Sequence, residues 1–198
     1  MGTQRLFVAV DPGDAVRAAV EALLVRLRHR VPRRAVRWVD PALMHVTLKF
    51  LGDTPDERLP AVRDALTRAL DGVTMLEARV TGTGCFPPRG APRVAWVAVR
   101  EDAAESAVGA LAARVDAAMT ALGYPPEDRA FHPHLTLGRV ARDVRGGAAA
   151  RVRAAVDEVA DFDAGPLVVR EVALVRSVLS ASGPVYTVIH RVALAAPR

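Results

Sequence analysis

The tetrapeptide His-x-Thr-Leu occurs twice, at residues 45–48 and 134–137, in matching places of a repeated series of elements. Each copy opens a predicted strand that follows a strand and a long helix and precedes a helix and a strand. The strand-like runs 6–10 and 94–98 begin the two series, so the matching positions are 88–89 residues apart. This order predicts one α+β domain with two duplicated lobes that share a central cleft.

The hydrophobic spacing predicts four helices and eight strands within this domain of residues 1–198, with approximate repeats at 5–81 and 93–177. The helices are expected at residues 14–30, 55–70, 103–122 and 147–160. The strands are expected at residues 6–10, 36–39, 45–51, 76–81, 94–100, 134–140, 167–177 and 185–194. We expect mainly antiparallel sheets around the cleft, with the helices packed outside.

The composition indicates which class of protein this is and in which cellular compartment it is expected. With 51% hydrophobic residues the chain should build a packed core, and no apolar run reaches the ~18–20 residues that span a bilayer. The N-terminus lacks a signal-peptide pattern, and the single cysteine, Cys85, cannot form an internal disulfide. We therefore expect a cytoplasmic protein without a membrane partner. The sequence leaves the oligomeric state open, and a monomer is the default expectation.

In each motif the histidine and the threonine lie on the same face of the strand, because alternate residues of a strand face one side. His45 and Thr47 should face the cleft from one lobe, and His134 and Thr136 from the other. Histidine titrates near neutral pH, so one ring can accept a proton while its partner donates one. The set predicts metal-independent acid–base chemistry at a bound phosphate, and the residues alone leave open which histidine is the acid.

Three further groups complete the predicted phosphate site. The hydroxyls of Thr47 and Thr136 can donate to phosphate oxygens, and Arg139 can add a fixed positive charge. The 26 arginines and one lysine outnumber the 22 acidic residues, and the resulting net charge of +5 would also attract nucleic acid. No cofactor-binding motif is evident, so we expect catalysis without a cofactor.

Other residues are weaker candidates. His132 could support the site, and Phe86 and Trp38 are candidate substrate-pocket residues. Phe86 could equally be packed inside an ordinary hairpin loop, and the strand pattern around Trp38 favours a place in the core or the cleft wall. A metal site built on His45, His132 and His134 is an alternative, but no Asp, Glu or Cys lies within two residues of these histidines to complete or orient it.

The motifs resemble those of the 2H phosphoesterase superfamily, and most closely the RNA 2′,3′-cyclic phosphodiesterases, also called 2′-5′ RNA ligases. The stretches that carry the resemblance are VRWV at 36–39, HVTLKFLG at 45–52, RVAW at 93–96, FHPHLTLGR at 131–139, LVRS at 174–177 and GPVY at 183–186. Together they span nearly the whole chain.

The resemblance implies a two-lobed fold with two antiparallel sheets and hydrolysis of RNA 2′,3′-cyclic phosphate ends to 2′-phosphomonoesters. It assigns proton donation to His45, proton acceptance to His134 and phosphate binding to Thr47, Thr136 and Arg139. It also implies that some members join 2′-5′ RNA ends reversibly without ATP. Two alternatives stay open: an RNA-end-binding processing protein, and a phosphodiesterase acting on small cyclic nucleotides or 2′-5′ oligonucleotides.

Overall fold

The computed structural model of the chain describes residues 2–101, 106–180 and 183–197. Within them lie four helices, Asp14–Arg30 (α1), Leu59–Leu70 (α2), Ala107–Ala121 (α3) and Gly146–Asp157 (α4). Nine strands alternate with them: Thr3–Val10 (β1), Val36–Trp38 (β2), Val46–Pro55 (β3), Leu76–Phe86 (β4), Val94–Arg100 (β5), His134–Val140 (β6), Asp163–Val169 (β7), Glu171–Ser180 (β8) and Gly183–Ala193 (β9). The α+β prediction is confirmed.

The strands form one antiparallel sheet in the order β7-β4-β5-β6-β3-β1-β8-β9, with β2 also paired to β6. At its centre β3 and β6 pair only at Val46 and Leu135. The implied pair of separate sheets is therefore corrected to one sheet that narrows to a single residue pair. We call β3, β1, β8 and β9 lobe A, and β6, β5, β4, β7 and β2 lobe B. No further pair of described residues joins the two central strands, which leaves room for a cleft between the lobes.

The helices pack across the two lobes. Helix α1 packs against β7 and α4 in lobe B, although it directly follows β1 of lobe A. Helix α3 packs against β3 and α2 in lobe A, although it follows β5 of lobe B. Each helix buries an apolar stripe at 3–4 residue spacing, such as Val16, Val20, Leu23, Leu24 and Leu27 of α1. None of the described helices has the length and apolar character needed to cross a bilayer.

Several predicted boundaries differ from the structure. Strand β4 continues to Phe86 instead of ending at residue 81, because a bulge next to Gly82, whose φ is +78°, keeps the strand paired with β5. The run 167–177 is two strands, since the chain leaves lobe B for lobe A at Arg170.

Two helices also begin later than expected. Helix α2 starts at Leu59, because β3 extends to Pro55 and a one-turn 3-10 helix, Asp56–Arg58, intervenes. Helix α3 starts at Ala107, and its predicted start at residue 103 lies outside the described residues.

In the first strand of each lobe, the observed correspondence between the lobes differs by one residue from the predicted one. Phe7 of β1 pairs with Phe50, and Val94 of β5 pairs with Arg139, so residue 7 and not residue 6 corresponds to residue 94. A one-residue slip exchanges the two faces of a strand. The corrected register places Phe7 on the cleft face, whereas the predicted match would have aligned it with the buried Ala95. The duplication itself stays a prediction.

Candidate active site

The burial pattern of the two motifs follows the predicted alternation. Val46 and Leu48 are buried in β3, whereas His45, just before the strand, and Thr47 are partly exposed. The second motif repeats this pattern, with Leu135 and Leu137 fully buried and His134 and Thr136 partly exposed. Within the described residues neither threonine hydroxyl has a protein hydrogen-bond partner, so both can donate to a ligand.

A bulge follows each motif threonine and changes which later side chain faces the cleft. In lobe A, Ala9 pairs with Thr47 but Val8 pairs with Lys49, so Leu48 is an extra residue. In lobe B, Trp96 pairs with Thr136 and Ala95 with Gly138, so Leu137 is extra in the same way. An extra residue re-aims the strand beyond it.

The two bulges have different consequences for the two lobes. Beyond them, Phe50 and Arg139 lie on the cleft face, three residues after the threonine. Without the bulge, regular alternation would direct Arg139 away from the motif side chains. Lobe B therefore offers a cation where lobe A offers an aromatic ring that is 62% exposed.

The single pair between β3 and β6 fixes the arrangement of the four motif side chains. Because Val46 lies opposite Leu135 in antiparallel strands, Thr47 neighbours His134 and His45 neighbours Thr136. The two histidines are thus diagonal neighbours, a relation that spans about 7–8 Å in a regular sheet. An anion between them could accept hydrogen bonds from both hydroxyls, and from an imidazole whose Nε2 is protonated.

Backbone carbonyls orient both imidazoles in the same way. The Nδ1 atom of His45 lies 2.9 Å from the carbonyl oxygen of Leu43, and that of His134 lies 2.7 Å from the carbonyl oxygen of His132. A carbonyl oxygen only accepts hydrogen bonds, so Nδ1 must carry the proton in both rings. Nε2 is then the atom that exchanges a proton with a ligand.

Aromatic side chains hold each ring in place. Phe7 stacks on His45 with centroids 4.6 Å apart, and Tyr186 of β9 contacts the same ring edge-on at 5.3 Å. Phe86 contacts His134 edge-on at 5.2 Å. These contacts restrict rotation of the imidazoles, and no described residue forms a hydrogen bond with Nε2 of either ring.

Burial lowers the pKa of both histidines below the ordinary value of 6.5. The positive charges of Arg17 and His134 lower the pKa of His45 further, and those of Arg139 and His132 act on His134 in the same direction. Their carbonyl hydrogen bonds partly oppose these effects. The influence of His134 on His45 indicates that the two rings share one electrostatic environment, which favours the neutral form of each ring before an anion binds.

The structure places the remaining candidate residues in different surroundings. His132 and Phe86 both lie beside His134, and the ring centroids of His132 and Phe86 are 6.2 Å apart. Trp38 instead packs against the core next to Gly138, on the opposite face of β6 from the motif side chains, so its placement gives no support to a substrate-pocket role. The thiol of Cys85 is buried in lobe B, and burial raises its pKa to about 11.

Three residues near His45 were not singled out as site residues from the sequence: Phe7, Tyr186 and Arg17. Tyr186 falls in a stretch that carried the family resemblance, which could have indicated it. Phe7 and Arg17 lie far from the motif in sequence, and only the register of β1 and the start of α1 bring them to it.

No group of three or more His, Cys, Asp or Glu side chains in the described part of the chain is arranged to hold a metal ion. The alternative metal site of His45, His132 and His134 therefore has no preformed ligand set in that part of the chain.

Comparison with known proteins extends the resemblance over the whole fold. A sequence profile of the 2′-5′ RNA ligase superfamily matches residues 12–180. Two relatives named RNA 2′,3′-cyclic phosphodiesterase are each 34% identical: that of Archaeoglobus fulgidus over 92% of this chain and 96% of its own, and that of Thermus thermophilus over 96% and 90%.

Solved structures show the same fold. The crystal structure of TT0787 from Thermus thermophilus superposes with a TM-score of 0.77 at 33% identity, covering 96% of this chain and 97% of its own. E. coli LigT complexed with 3′-AMP superposes with a TM-score of 0.74 at 24% identity, covering 97% and 98%. The paired motifs, the shared fold and the profile match lead to one conclusion: the chain belongs to the 2′-5′ RNA ligase superfamily.

Proposed function

We propose that this protein hydrolyses the 2′,3′-cyclic phosphate at an RNA end to a 2′-phosphomonoester, with His45 as the acid and His134 as the base. One observation carries the proposal: two oriented imidazoles lie diagonally across the residue pair that joins β3 to β6. Each imidazole neighbours a threonine hydroxyl that has no partner among the described residues. The names of the relatives supply the substrate class.

The reaction needs one proton removed and one delivered. A water oxygen attacks phosphorus while Nε2 of neutral His134 takes its proton. The bond from phosphorus to the ribose O3′ breaks as protonated His45 gives its Nε2 proton to that oxygen. The products are a 2′-phosphomonoester and a 3′-hydroxyl, and the histidines end with their protonation states exchanged.

The surrounding groups stabilise the negative charge on the non-bridging oxygens. The hydroxyls of Thr47 and Thr136 can donate to them, and Arg139 supplies a positive charge that the bulge places near His134 and Tyr186. Because the bound anion favours an imidazolium, it raises the pKa of His45 toward neutrality and generates the acid when it is needed.

The same pair can also join RNA ends. If an RNA 5′-hydroxyl replaces water and a cyclic phosphate accepts it, the same proton transfers form a 2′-5′ bond, and ring strain replaces a nucleotide as the driving force. The acid–base chemistry requires no metal and no cofactor.

The decisive experiment is product analysis on an oligonucleotide ending in a 2′,3′-cyclic phosphate, in the presence of excess EDTA. We expect a product that carries its phosphate on the 2′ oxygen. His45→Ala and His134→Ala should each lose activity by about 10²–10⁴-fold. His29→Ala is the matched control, because His29 is exposed in the last turn of α1.

Other outcomes would change the conclusion. Retained turnover in both histidine variants would reject the proposal, and loss of wild-type activity in EDTA would favour metal-dependent catalysis. Tight binding of the RNA end without turnover would favour an end-binding protein. Faster opening of a mononucleotide than of an oligonucleotide would move the substrate class to small cyclic nucleotides.

A further inference from the structure

We propose that a cavity of about 360 Å³ on lobe B binds backbone phosphates of the RNA strand whose end lies in the active site. The loop between α1 and β2 and the segment between β6 and α4 line it, and three lining residues are arginines: Arg33, Arg34 and Arg145. We call it the arginine cavity. The inference rests on the proposed function and deepens it, because it gives the rest of the RNA strand a place on the protein, outside the cleft.

The arginine side chains are available to a ligand. Arg33 and Arg34 are exposed, and neither side chain forms a hydrogen bond or an ion pair with any described residue. Nη1 of Arg145 donates to the carbonyl oxygen of Arg142 and, at 2.9 Å, to that of Val144. These bonds hold the third guanidinium at the cavity and leave its Nη2 and Nε donors for a ligand.

The cavity wall carries a net positive charge. Asp143 is the only carboxylate among the described lining residues, so the three guanidiniums leave a net charge of +2. A guanidinium is planar, stays charged at every physiological pH and can bind a phosphate through two parallel hydrogen bonds. A polyanion is therefore the partner whose charge is complementary to this surface.

The backbone at Arg34 supports a role for its side chain. Its φ is +63°, and among the described residues it is the one non-glycine residue with a positive φ. Glycine or asparagine is the usual residue in this conformation, so an arginine has no backbone advantage there. The N–H of Ala35 donates 3.0 Å to the carbonyl oxygen of Pro32, which closes the turn and fixes the direction of the side chain. Such an outlier points to function when its surroundings hold it.

Further arginines connect the cavity to the proposed phosphate site. Arg37 of β2 pairs with Arg139 of β6, so the two side chains share the cleft face. Arg34 lies three residues before Arg37, about 10 Å away at the rise of a strand. The N–H of Ala141 donates 2.9 Å to the carbonyl oxygen of Ala35, so the loop stays beside the end of β6. This continuity favours RNA over an acidic protein, because the bound RNA end already lies beside Arg139.

The distance from the motif determines how much RNA is needed. Ala141 follows Thr136 by five residues, one of them extra in the bulge, so the cavity begins about 13–17 Å from the threonine. A stacked strand advances about 3.4 Å per nucleotide, so about four or five nucleotides reach the cavity and a mononucleotide does not. Longer RNA should therefore bind more tightly, by an increment that falls as salt rises.

The test removes two charges from the cavity and leaves the motif residues unchanged. In Arg33→Gln/Arg34→Gly, the glycine suits the left-handed backbone, so the variant should fold. Arg68→Gln/Arg100→Gln is the matched control. Arg68 lies in the last turn of α2 and Arg100 ends β5, both are exposed, and neither has a side-chain hydrogen bond or ion pair among the described residues. The probe is a 12-nucleotide RNA with a plain 3′-hydroxyl, because its binding does not depend on the reaction.

Fluorescence anisotropy at several salt concentrations measures the number of phosphate contacts. Each contact to a single strand contributes about 0.7 to the slope of log affinity against log salt, so the slope of Arg33→Gln/Arg34→Gly should be shallower by about 1.4. Its affinity at 50 mM salt should fall about tenfold, and the control slope should change by less than about 0.3. In turnover, KM should rise for a 12-nucleotide cyclic phosphate but not for adenosine 2′,3′-cyclic phosphate, with kcat unchanged for both.

Three results would overturn the arginine cavity as an RNA site while leaving the proposed function intact. They are a wild-type slope in Arg33→Gln/Arg34→Gly, an equal loss of affinity in the two double variants, and a wild type that binds a dinucleotide as tightly as the 12-nucleotide RNA. If the wild type opens neither cyclic phosphate, the proposed function is rejected. Weaker binding of the 3′-hydroxyl RNA by the cavity variant alone would then still support the cavity as an RNA-binding site.

Discussion

Replacing Lys49 by methionine should destabilise the protein without removing catalysis. Lys49 lies in the first motif strand, two residues after Thr47, yet only 6% of it is exposed. Its ammonium forms an ion pair with Asp116 of α3 and donates a hydrogen bond of 2.7 Å to the carbonyl oxygen of Pro125. The bulge at Leu48 directs this side chain into the interface between β3 and α3 and away from the cleft.

The magnitude follows from the contacts that are lost. Hydrogen bonds to a charged group contribute about 1.5–3 kcal/mol each, so losing two at the lower value costs about 3 kcal/mol. The side chain of Asp116 is 27% exposed and also accepts a hydrogen bond from the backbone N–H of Glu127. Both features limit the free-energy penalty for leaving that carboxylate without Lys49. For a chain of this size, about 3 kcal/mol corresponds to a fall in Tm of about 6–12 °C.

Thermal denaturation of Lys49→Met, Asp116→Leu and the double variant gives the coupling between the two charges. We expect the double variant to recover at least about half of the loss, because replacing a whole buried ion pair by apolar groups is often nearly neutral. The kcat of Lys49→Met, measured below its Tm, should stay within about threefold of the wild type. A Tm within about 1 °C of the wild type together with lost kcat would refute this reasoning and return Lys49 to the cleft.

Three further predictions test the site and the fold. On bis(p-nitrophenyl) phosphate, whose leaving group departs without a proton, His45→Ala should lose less than about tenfold while His134→Ala still loses about 10²–10⁴-fold; the reverse pattern would exchange the acid and the base. The base must be neutral and the acid protonated, and both pKa values lie below 6.5 in the free enzyme, so kcat/KM should be bell-shaped with both limbs below pH 6.5. An alkaline limb above about pH 7 in kcat/KM would contradict this. Gly84→Ala should cost about 1–3 kcal/mol by thermal denaturation, because an added Cβ lies 2.4 Å from the ring of Trp96, whereas Gly147→Ala, with open space around it, should be neutral or stabilising.

The motif side chains could be predicted because they depend only on the period of a strand. Alternation placed His45 and Thr47 together, and repetition of the pattern indicated a second set in the other lobe. Helix α1 was predicted at its observed bounds, Asp14–Arg30, because its apolar spacing is regular and Gly13 precedes it.

The bulges could not be predicted in the same way. Whether Leu48 is an extra residue depends on its pairing with β1, which is a tertiary contact and leaves no mark in the motif itself. Gly138 was a usable signal, since glycine within a strand often marks a bulge or a close approach, and an added Cβ there would lie 2.6 Å from Val36.

The crossed packing of the helices has a consequence for how the chain can be divided. Lobe A takes β1 and β3 from the first half of the chain but needs β8, β9 and α3 from the second. Lobe B likewise needs α1 from the first half of the chain to cover its apolar face. Cutting the backbone between the two halves leaves neither fragment with a finished core, so either half alone would expose apolar surface and should aggregate or remain unfolded. A half-length chain could complete a lobe only together with the other half, which carries the missing strands and the missing helix.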